Sequence, residues 1–290
     1  MNKEGLKALF ITTRTNDVDK LVGAWDCWNE IKATRWAYDE SSPRHATFEP
    51  VKNFDVVFYI GGCCGSGNPE KETLRSIAMQ RPFIHICCDA GDEPWWQALR
   101  AYRQDDCFTK QVGIDGHHDA PVDLVTLTPV DMRPYINAAP KAWSMRAHAI
   151  GFPGNAGSGH RIKLINDLRD VIAFRRRDPK GDYADYVNFL ADCRMVLNSA
   201  LSGTAATKHV KGRVLEAAFA GCGLIEMAGA PTHEFIPEEL FLTYQDSAHV
   251  AELAKNMNLQ EEKLRADKLF KYCAQEHNPR KIYQRIMEGV

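Results

Sequence analysis

Short apolar runs alternate with amphipathic stretches along most of the chain. In the first half, residues 6–12 (LKALFIT), 54–60 (FDVVFYI) and 83–88 (FIHICC) are nearly continuous apolar runs, as strands buried on both faces should be. Thr15, Asn16 and Asp17 open a helix expected to reach about Ala33, with Leu21, Val22, Trp25 and Trp28 on one face. Pro69 begins a second helix carrying Leu74 and Ile77, and a third is expected over 93–103. Shorter strands fall near 35–38, 107–109 and 124–127. Repeated strand–helix–strand units predict a parallel sheet with right-handed crossovers and helices on both faces.

The stretch 129–141 (PVDMRPYINAAPK) interrupts this pattern with three prolines and reads as a linker. Beyond it the alternation restarts. Strands are expected at 147–151, 194–198 and 222–227, and helices at 160–173, 183–192, 211–220, 246–257, 260–275 and 279–288. The predicted class is α/β, with two doubly wound Rossmann-like domains over residues 1–133 and 147–275, joined by 134–146 and closed by a helix in 276–290. Ligands of such sheets sit beyond the carboxyl ends of the strands. In a two-domain arrangement those ends can face each other across a cleft.

Composition agrees and removes several alternatives. At roughly 150 residues per domain, 290 residues make two domains. With 44% hydrophobic and 26% charged residues, the chain is neither disordered nor fibrous. Lys and Arg number 36 against 38 Asp and Glu, so a net charge of −2 gives no overall attraction to nucleic acid or anionic lipid. The first residues read as a strand rather than a signal peptide, and no apolar run approaches the roughly 18 residues of a membrane span. A cytoplasmic protein with reduced thiols is expected. The adjacent pairs Cys63, Cys64 and Cys87, Cys88 end strand-like runs, where neighbours face opposite ways, so they read as small buried hydrophobes rather than a metal site.

Three segments carry candidate chemistry. Gly61, Gly62, Cys63, Cys64, Gly65, Ser66 and Gly67 lie between a buried strand and a helix. This is neither a P-loop nor a dinucleotide fingerprint; a tight turn and contact with a bound substrate are both open. Gly151 to Gly159 forms a second glycine-rich loop, ending at His160 and Arg161, where a cation at a helix start suggests an anionic ligand. The densest signal is 207–223, which places Lys208, His209, Lys211 and Arg213 at the start of a helix whose buried stripe is Val214, Leu215, Ala218 and Phe219. Glu216 is either the intrahelical partner of Arg213 or a carboxylate that accepts the hydroxyls of a ribose.

The run from Lys211 to Ile225 (KGRVLEAAFAGCGLI) resembles the donor-binding helix and following strand of GT-B-fold glycosyltransferases, closest to the CgeB-like, glycosyltransferase group 1 proteins. Residues 150–155 with Arg161, residues 186–198, and His277 with 280–286 are similar to that group in order and spacing. The likeness covers about 145–290 well and the first half in outline.

The resemblance implies that the first domain faces the acceptor and the second binds a nucleotide-sugar, UDP favoured, with no metal and no separate cofactor. Glu216 would bind the ribose. Arg213, Lys208 and Arg161, with backbone near Gly154, Asn155 and Gly212, would hold the diphosphate; Gly229, Ala230 and Pro231 would approach the sugar. Gly61, Gly62 and Gly65 would form the acceptor-side loop, and the final helix would return to the first domain. Many retaining members carry a Glu eight residues before the ribose Glu. Here Lys208 stands in that place.

Glycosyl transfer builds negative charge on the leaving diphosphate, and an inverting enzyme also needs a base on the acceptor side. Asp89 is the first candidate base, followed by His85 and Asp92, all in or just after the 83–88 strand. Asp17, Val18 and Asp19 have DxD spacing but read as helix-start residues. Trp95 and Trp96 are expected to divide between core and rim, 115–119 reads as a polar loop, and Arg175, Arg176 and Arg177 as a solvated one. Saccharide, protein, small-molecule and hydroxylated DNA-base acceptors all fit. A non-catalytic nucleotide- or partner-binding module and a sugar-nucleotide epimerase are the alternatives.

Overall fold

The computed structural model describes residues 5–12, 15–28, 34–37, 51–61, 71–88, 90, 96–114, 117–138, 141–154, 157–174, 183–202 and 207–290. The elements run β1 (Ala8–Thr12), α1 (Thr15–Trp28), β2 (Thr34–Ala37), β3 (Val56–Gly61), α2 (Lys71–Ala78), β4 (Phe83–Cys87), α3 (Trp96–Gln104), β5 (Lys110–Gly113) and β6 (Leu124–Val125). They continue as α4 (Arg133–Asn137), β7 (His148–Phe152), α5 (Gly159–Asp167), β8 (Ala173–Phe174), α6 (Tyr183–Ala191), β9 (Cys193–Leu197), α7 (Arg213–Phe219) and β10 (Gly223–Met227). The last are β11 (Leu242–Tyr244), α8 (Ser247–Asn256), α9 (Leu259–Glu276) and α10 (Pro279–Met287). Two compact units result: Met1–Asp131 together with Pro279–Val290, and Met132–Asn278.

The first unit is a six-stranded parallel sheet of order β2-β1-β3-β4-β5-β6. Phe10 and Phe58 lie opposite each other in the β1–β3 register, with ring centroids 4.7 Å apart. Trp25 of α1 and Tyr283 of α10 meet above that pair at 5.1 Å. The Tyr283 hydroxyl donates to the Leu21 carbonyl at 2.7 Å, so its polar tip is satisfied inside the core. Lys110 Nζ donates to the carbonyls of Arg285, Ile286 and Glu288, placing a cation on the unpaired acceptors at the end of α10. On the opposite face, Val57, Tyr59 and Phe83 pack with Leu74 and Ile77 of α2 and Tyr102 of α3.

The second unit is a five-stranded parallel sheet of order β11-β10-β9-β7-β8. Ile150, Met195, Leu197 and Ile225 share one face and pack with Leu168 and Val250. Strand alternation turns Asn198 and Glu226 to the other face, beneath α7.

Several element boundaries move. Strand β5 begins at Lys110 rather than 107, because the chain is still turning out of α3: Asp106 has φ 49° and Cys107 N–H donates to the Tyr102 carbonyl at 3.0 Å. The proline-rich stretch is partly helical, since Pro134 near the start of α4 loses no needed hydrogen bond. The helix expected to reach residue 173 stops at Asp167, and the short strand β8 follows. Strand β11 was not anticipated. The expectation that every thiol is reduced also fails at Cys87, which is disulfide-bonded; Cys107, Cys193, Cys222 and Cys273 are free thiols.

Candidate functional site

In the second unit the candidate donor-binding residues gather where β9 and β10 end. The segment 198–201 leaving β9 is their common anchor. Arg213 Nη1 donates to Asn198 Oδ1 at 3.0 Å, and Arg161 Nη2 to the Leu201 carbonyl at 3.1 Å. Leu201 also forms an antiparallel bridge with Lys208. Lys208 therefore stands in a paired extended segment, not on the first turn of the helix as its spacing suggested, because α7 starts only at Arg213. Its ammonium donates to the Ala228 carbonyl at 2.6 Å, just before Gly229.

The Arg213 guanidinium is held from several sides. Besides Asn198, it lies over the Phe152 ring at 5.9 Å, within reach of a cation–π attraction. Gly154 leaves room for it: a Cβ there would come within 3.4 Å of Arg213 Nη1 and 2.8 Å of the Phe152 ring. Arg213 Nε is buried and has no hydrogen-bond partner among the described residues. Such a donor in a native interior calls for an acceptor.

Glu216, one turn further along α7, is 3% exposed and accepts a hydrogen bond from the Tyr186 hydroxyl. Burial, and then the Glu216 charge, hold the Tyr186 phenol well above its ordinary pKa, so it remains a donor. Tyr183 stacks on Tyr186 at 6.0 Å, and its hydroxyl pairs with that of Tyr135 at 2.7 Å. Gly212 is the N-cap of α7, and its carbonyl accepts from Leu215 and Glu216 N–H. Gly229 has φ +72°, a backbone state that favours glycine. Ala230 and Pro231 are buried, and Pro231 opens a 3-10 turn.

Glu226 is a functional-looking residue that the sequence did not single out. It is 1% exposed, and its carboxylate accepts from Asn198 Nδ2 and Thr232 Oγ1, each at 2.8 Å, and from Met227 N–H at 2.8 Å. Burial pushes its pKa up to about 7, against the opposing pull of these bonds and of Arg213. The available signal was a charged residue inside the apolar strand GLIEM. In the sequence, Tyr186 and Asn198 stand out only as part of the 186–198 resemblance.

In the first unit the picture changes for two residues. His85 is fully buried, stacked on Phe108 at 4.7 Å and edge-on to Tyr102, with Nε2 3.5 Å from the Gly61 carbonyl. Burial lowers its pKa to about 4. It is a neutral core histidine enclosed by aromatic rings, not the catalytic base that its place on the strand suggested. Gly61 is the last residue of β3 rather than a loop residue, and a Cβ there would overlap the Tyr59 ring. Asp89, Asp92, Asn155, Gly62 and Gly65 lie outside the described residues, as do the side chains of Asp17 and Asp19. Trp96 is half-buried and donates to the Ala90 carbonyl at 3.0 Å. Among the described residues no group of three or more His, Cys, Asp or Glu is placed to hold a metal, and no helix is long and apolar enough to cross a membrane.

Solved structures share this architecture. HepE from Anabaena in complex with UDP superposes with a TM-score of 0.62 at 13% identity, covering 98% of this chain and 99% of that one. An α-glucosyltransferase in complex with UDP and a 13-mer DNA containing a central A:G mismatch matches with a TM-score of 0.57 at 9% identity, covering 98% and 100%. T4 phage BGT in complex with its UDP-glucose substrate gives 0.53 at 11%, again covering 98% and 100%. The fold is GT-B. Residues 160–288 in turn match the family model described as glycosyl transferase-like. This meets the resemblance read from the second half of the chain at the level of that family, which is broader than its CgeB-like members. No curated protein matches the chain by sequence.

Proposed function

We propose that the chain is a glycosyltransferase that moves a sugar from a nucleoside-diphosphate sugar, UDP favoured, to an acceptor hydroxyl without a metal. The observation that carries this reading is the pairing on one turn of α7. Glu216 is a buried carboxylate oriented by Tyr186, and Arg213 is a clamped guanidinium whose buried Nε–H has no partner among the described residues. A carboxylate suits a ribose diol, and a planar cation beside it suits a diphosphate. HepE and T4 phage BGT, which share the fold, are seen with UDP and UDP-glucose respectively.

In this reading Arg213, Arg161 and Lys208 offset the charge that accumulates on the departing diphosphate, the task a metal performs elsewhere. They are fixed in place before the reaction, so little reorganisation accompanies charge development. Lys208, tied to the Ala228 carbonyl, also fixes the loop at Gly229, Ala230 and Pro231 that would border the sugar. A base on the acceptor side would come from Asp89 or Asp92.

A melting-temperature panel of UDP, GDP, ADP, TDP and CMP on wild type and Glu216→Ala tests the proposal. A ligand present at about 100 times its Kd stabilises by roughly 2.7 kcal/mol, a shift of a few degrees. One nucleoside diphosphate should shift wild type and not the variant. No shift with any of them would overturn the donor site. Binding without turnover of any UDP-sugar would favour the non-catalytic module.

A further inference from the structure

The geometry points to a relay behind the site: Glu226 and Asn198 position the Arg213 guanidinium for the donor diphosphate. This rests on the reading of Arg213 as a diphosphate ligand and assigns roles to two residues further back.

Asn198 leaves β9 and Glu226 lies on the neighbouring β10, and strand alternation puts both on the α7 face of the sheet. Asn198 Nδ2 donates to Glu226 Oε2 at 2.8 Å, and Asn198 Oδ1 accepts from Arg213 Nη1 at 3.0 Å. A primary amide offers donors on one side and an acceptor on the other. The carboxylate accepts and the guanidinium only donates, so one amide orientation satisfies both neighbours. The Asn198 backbone is fixed as well: its carbonyl accepts from the Tyr244 hydroxyl at 3.1 Å, and its N–H donates to the Ile225 carbonyl at 2.9 Å.

A carboxylate at this depth needs a reason. An apolar residue of similar size would be cheaper to bury, and Glu226 instead takes three hydrogen bonds from Asn198, Thr232 and Met227. Two of these come from side chains, and one of those side chains holds the candidate phosphate-binding arginine. Glu226 itself has no hydrogen bond to Arg213 in the structure. It is a positioning residue: it fixes which face of the Asn198 amide meets the guanidinium. Without an acceptor at 226 the amide loses its reason to keep Oδ1 toward Arg213, and turning it over would aim N–H at N–H.

The discriminating readout is the affinity that the phosphates add, taken as the ratio of the Kd for uridine to the Kd for UDP. Glu226→Met removes the acceptor and keeps the bulk, and Asn198→Ala removes the bridge. Each should reduce the ratio about tenfold, the scale of one charge-assisted hydrogen bond, with uridine binding unchanged. Glu226→Gln keeps an acceptor oxygen and should restore the ratio to within about threefold of wild type. A merely structural role would weaken uridine and UDP alike and would not be rescued in this way. If Glu226→Met or Asn198→Ala does not fold, Thr232→Val, which removes one donor to Glu226 and takes no hydrogen bond from Arg213 or Asn198, should lower the ratio by a smaller factor. Wild-type ratios in the folded variants would overturn the relay and leave the nucleotide site standing. A wild-type protein that binds neither UDP nor uridine would overturn the nucleotide reading, and the relay with it.

Discussion

The Tyr186 hydroxyl donates to the Glu216 carboxylate across the gap between α6 and α7, where Glu216 is buried and Tyr186 half-buried. The bond turns a buried anion into an oriented one and fixes which carboxylate oxygen is engaged from within the protein. Tyr186→Phe should therefore weaken binding of UDP and uridine by a similar factor, about three- to tenfold, because the change acts on the ribose side. Isothermal titration of both ligands would check it. A loss confined to UDP would move the role of Tyr186 to the phosphates.

Glu226 and His85 should make the two units respond to acid in opposite directions. The Glu226 pKa is raised to about 7, so the folded second unit holds a proton that the unfolded chain releases near its ordinary value of about 4.3. Its contribution favours folding below that range and fades as pH rises towards about 7. The His85 pKa is lowered to about 4, so the unfolded chain takes up a proton near pH 6.5 that the folded first unit refuses. Its contribution is present above about 6.5 and is lost as pH falls towards about 4. The protection of β3 and β4 amides against hydrogen exchange, measured relative to the intrinsic rate at each pH, should fall between pH 6.5 and 4, and His85→Phe should remove most of that dependence. The amides of β9 and β10 should show the reverse trend, and Glu226→Gln should flatten it.

Gly154, just after β7, and Gly159, the first residue of α5, should behave differently on gaining a methyl group. A Cβ at Gly154 would meet the Phe152 ring at 2.8 Å and Arg213 Nη1 at 3.4 Å, whereas one at Gly159 meets nothing within 4 Å among the described residues. Gly154→Ala should cost about 1–3 kcal/mol of stability and weaken UDP binding. Gly159→Ala should leave binding unchanged and stability equal or slightly higher. Denaturant titration with and without UDP would separate the two.

Removing divalent ions should not change UDP affinity. Arg213 and Arg161 are anchored by Asn198 Oδ1 and the Leu201 carbonyl, and such fixed cations supply the charge a metal would bring. Titrations in EDTA and in magnesium should agree within error; a strong magnesium requirement would contradict the metal-free proposal.

Much of the fold was legible because it rests on local signals. The buried runs of β3, β4 and β10 are nearly continuous and apolar, interrupted only by His85 and Glu226, and the α7 stripe at Val214, Leu215, Ala218 and Phe219 is helical in period. The short elements β8 and β11 were missed because two or three residues carry no period. At the site, Arg213 and Glu216 stand one helical turn apart and could be seen as a pair. The Asn198–Glu226 contact joins residues on neighbouring strands, so only the β9–β10 register brings them together. His85 shows the opposite limit. Its place on a strand near the carboxyl edge suggested chemistry, and only the rings of Phe108, Tyr59 and Tyr102 around it reveal a core residue.

Tyr283 lies in α10 but fills the core of the first unit, against Trp25 and Phe58. Tyr283→Ala should destabilise that unit by about 3–5 kcal/mol, and Tyr283→Phe by about 1 kcal/mol through loss of the bond to Leu21. Near-ultraviolet circular dichroism of the Trp25 environment would follow both.

That the first unit is finished by residues 279–290 also bears on how the protein is born. On a ribosome, residues 1–131 emerge with Trp25 uncapped, and the intervening 132–278 take on the order of 10 s to synthesise. The second unit has all its strands in hand before the first receives its last helix. The earlier-made half is thus completed last, and in that interval its aromatic face is open to chaperones and to other nascent chains.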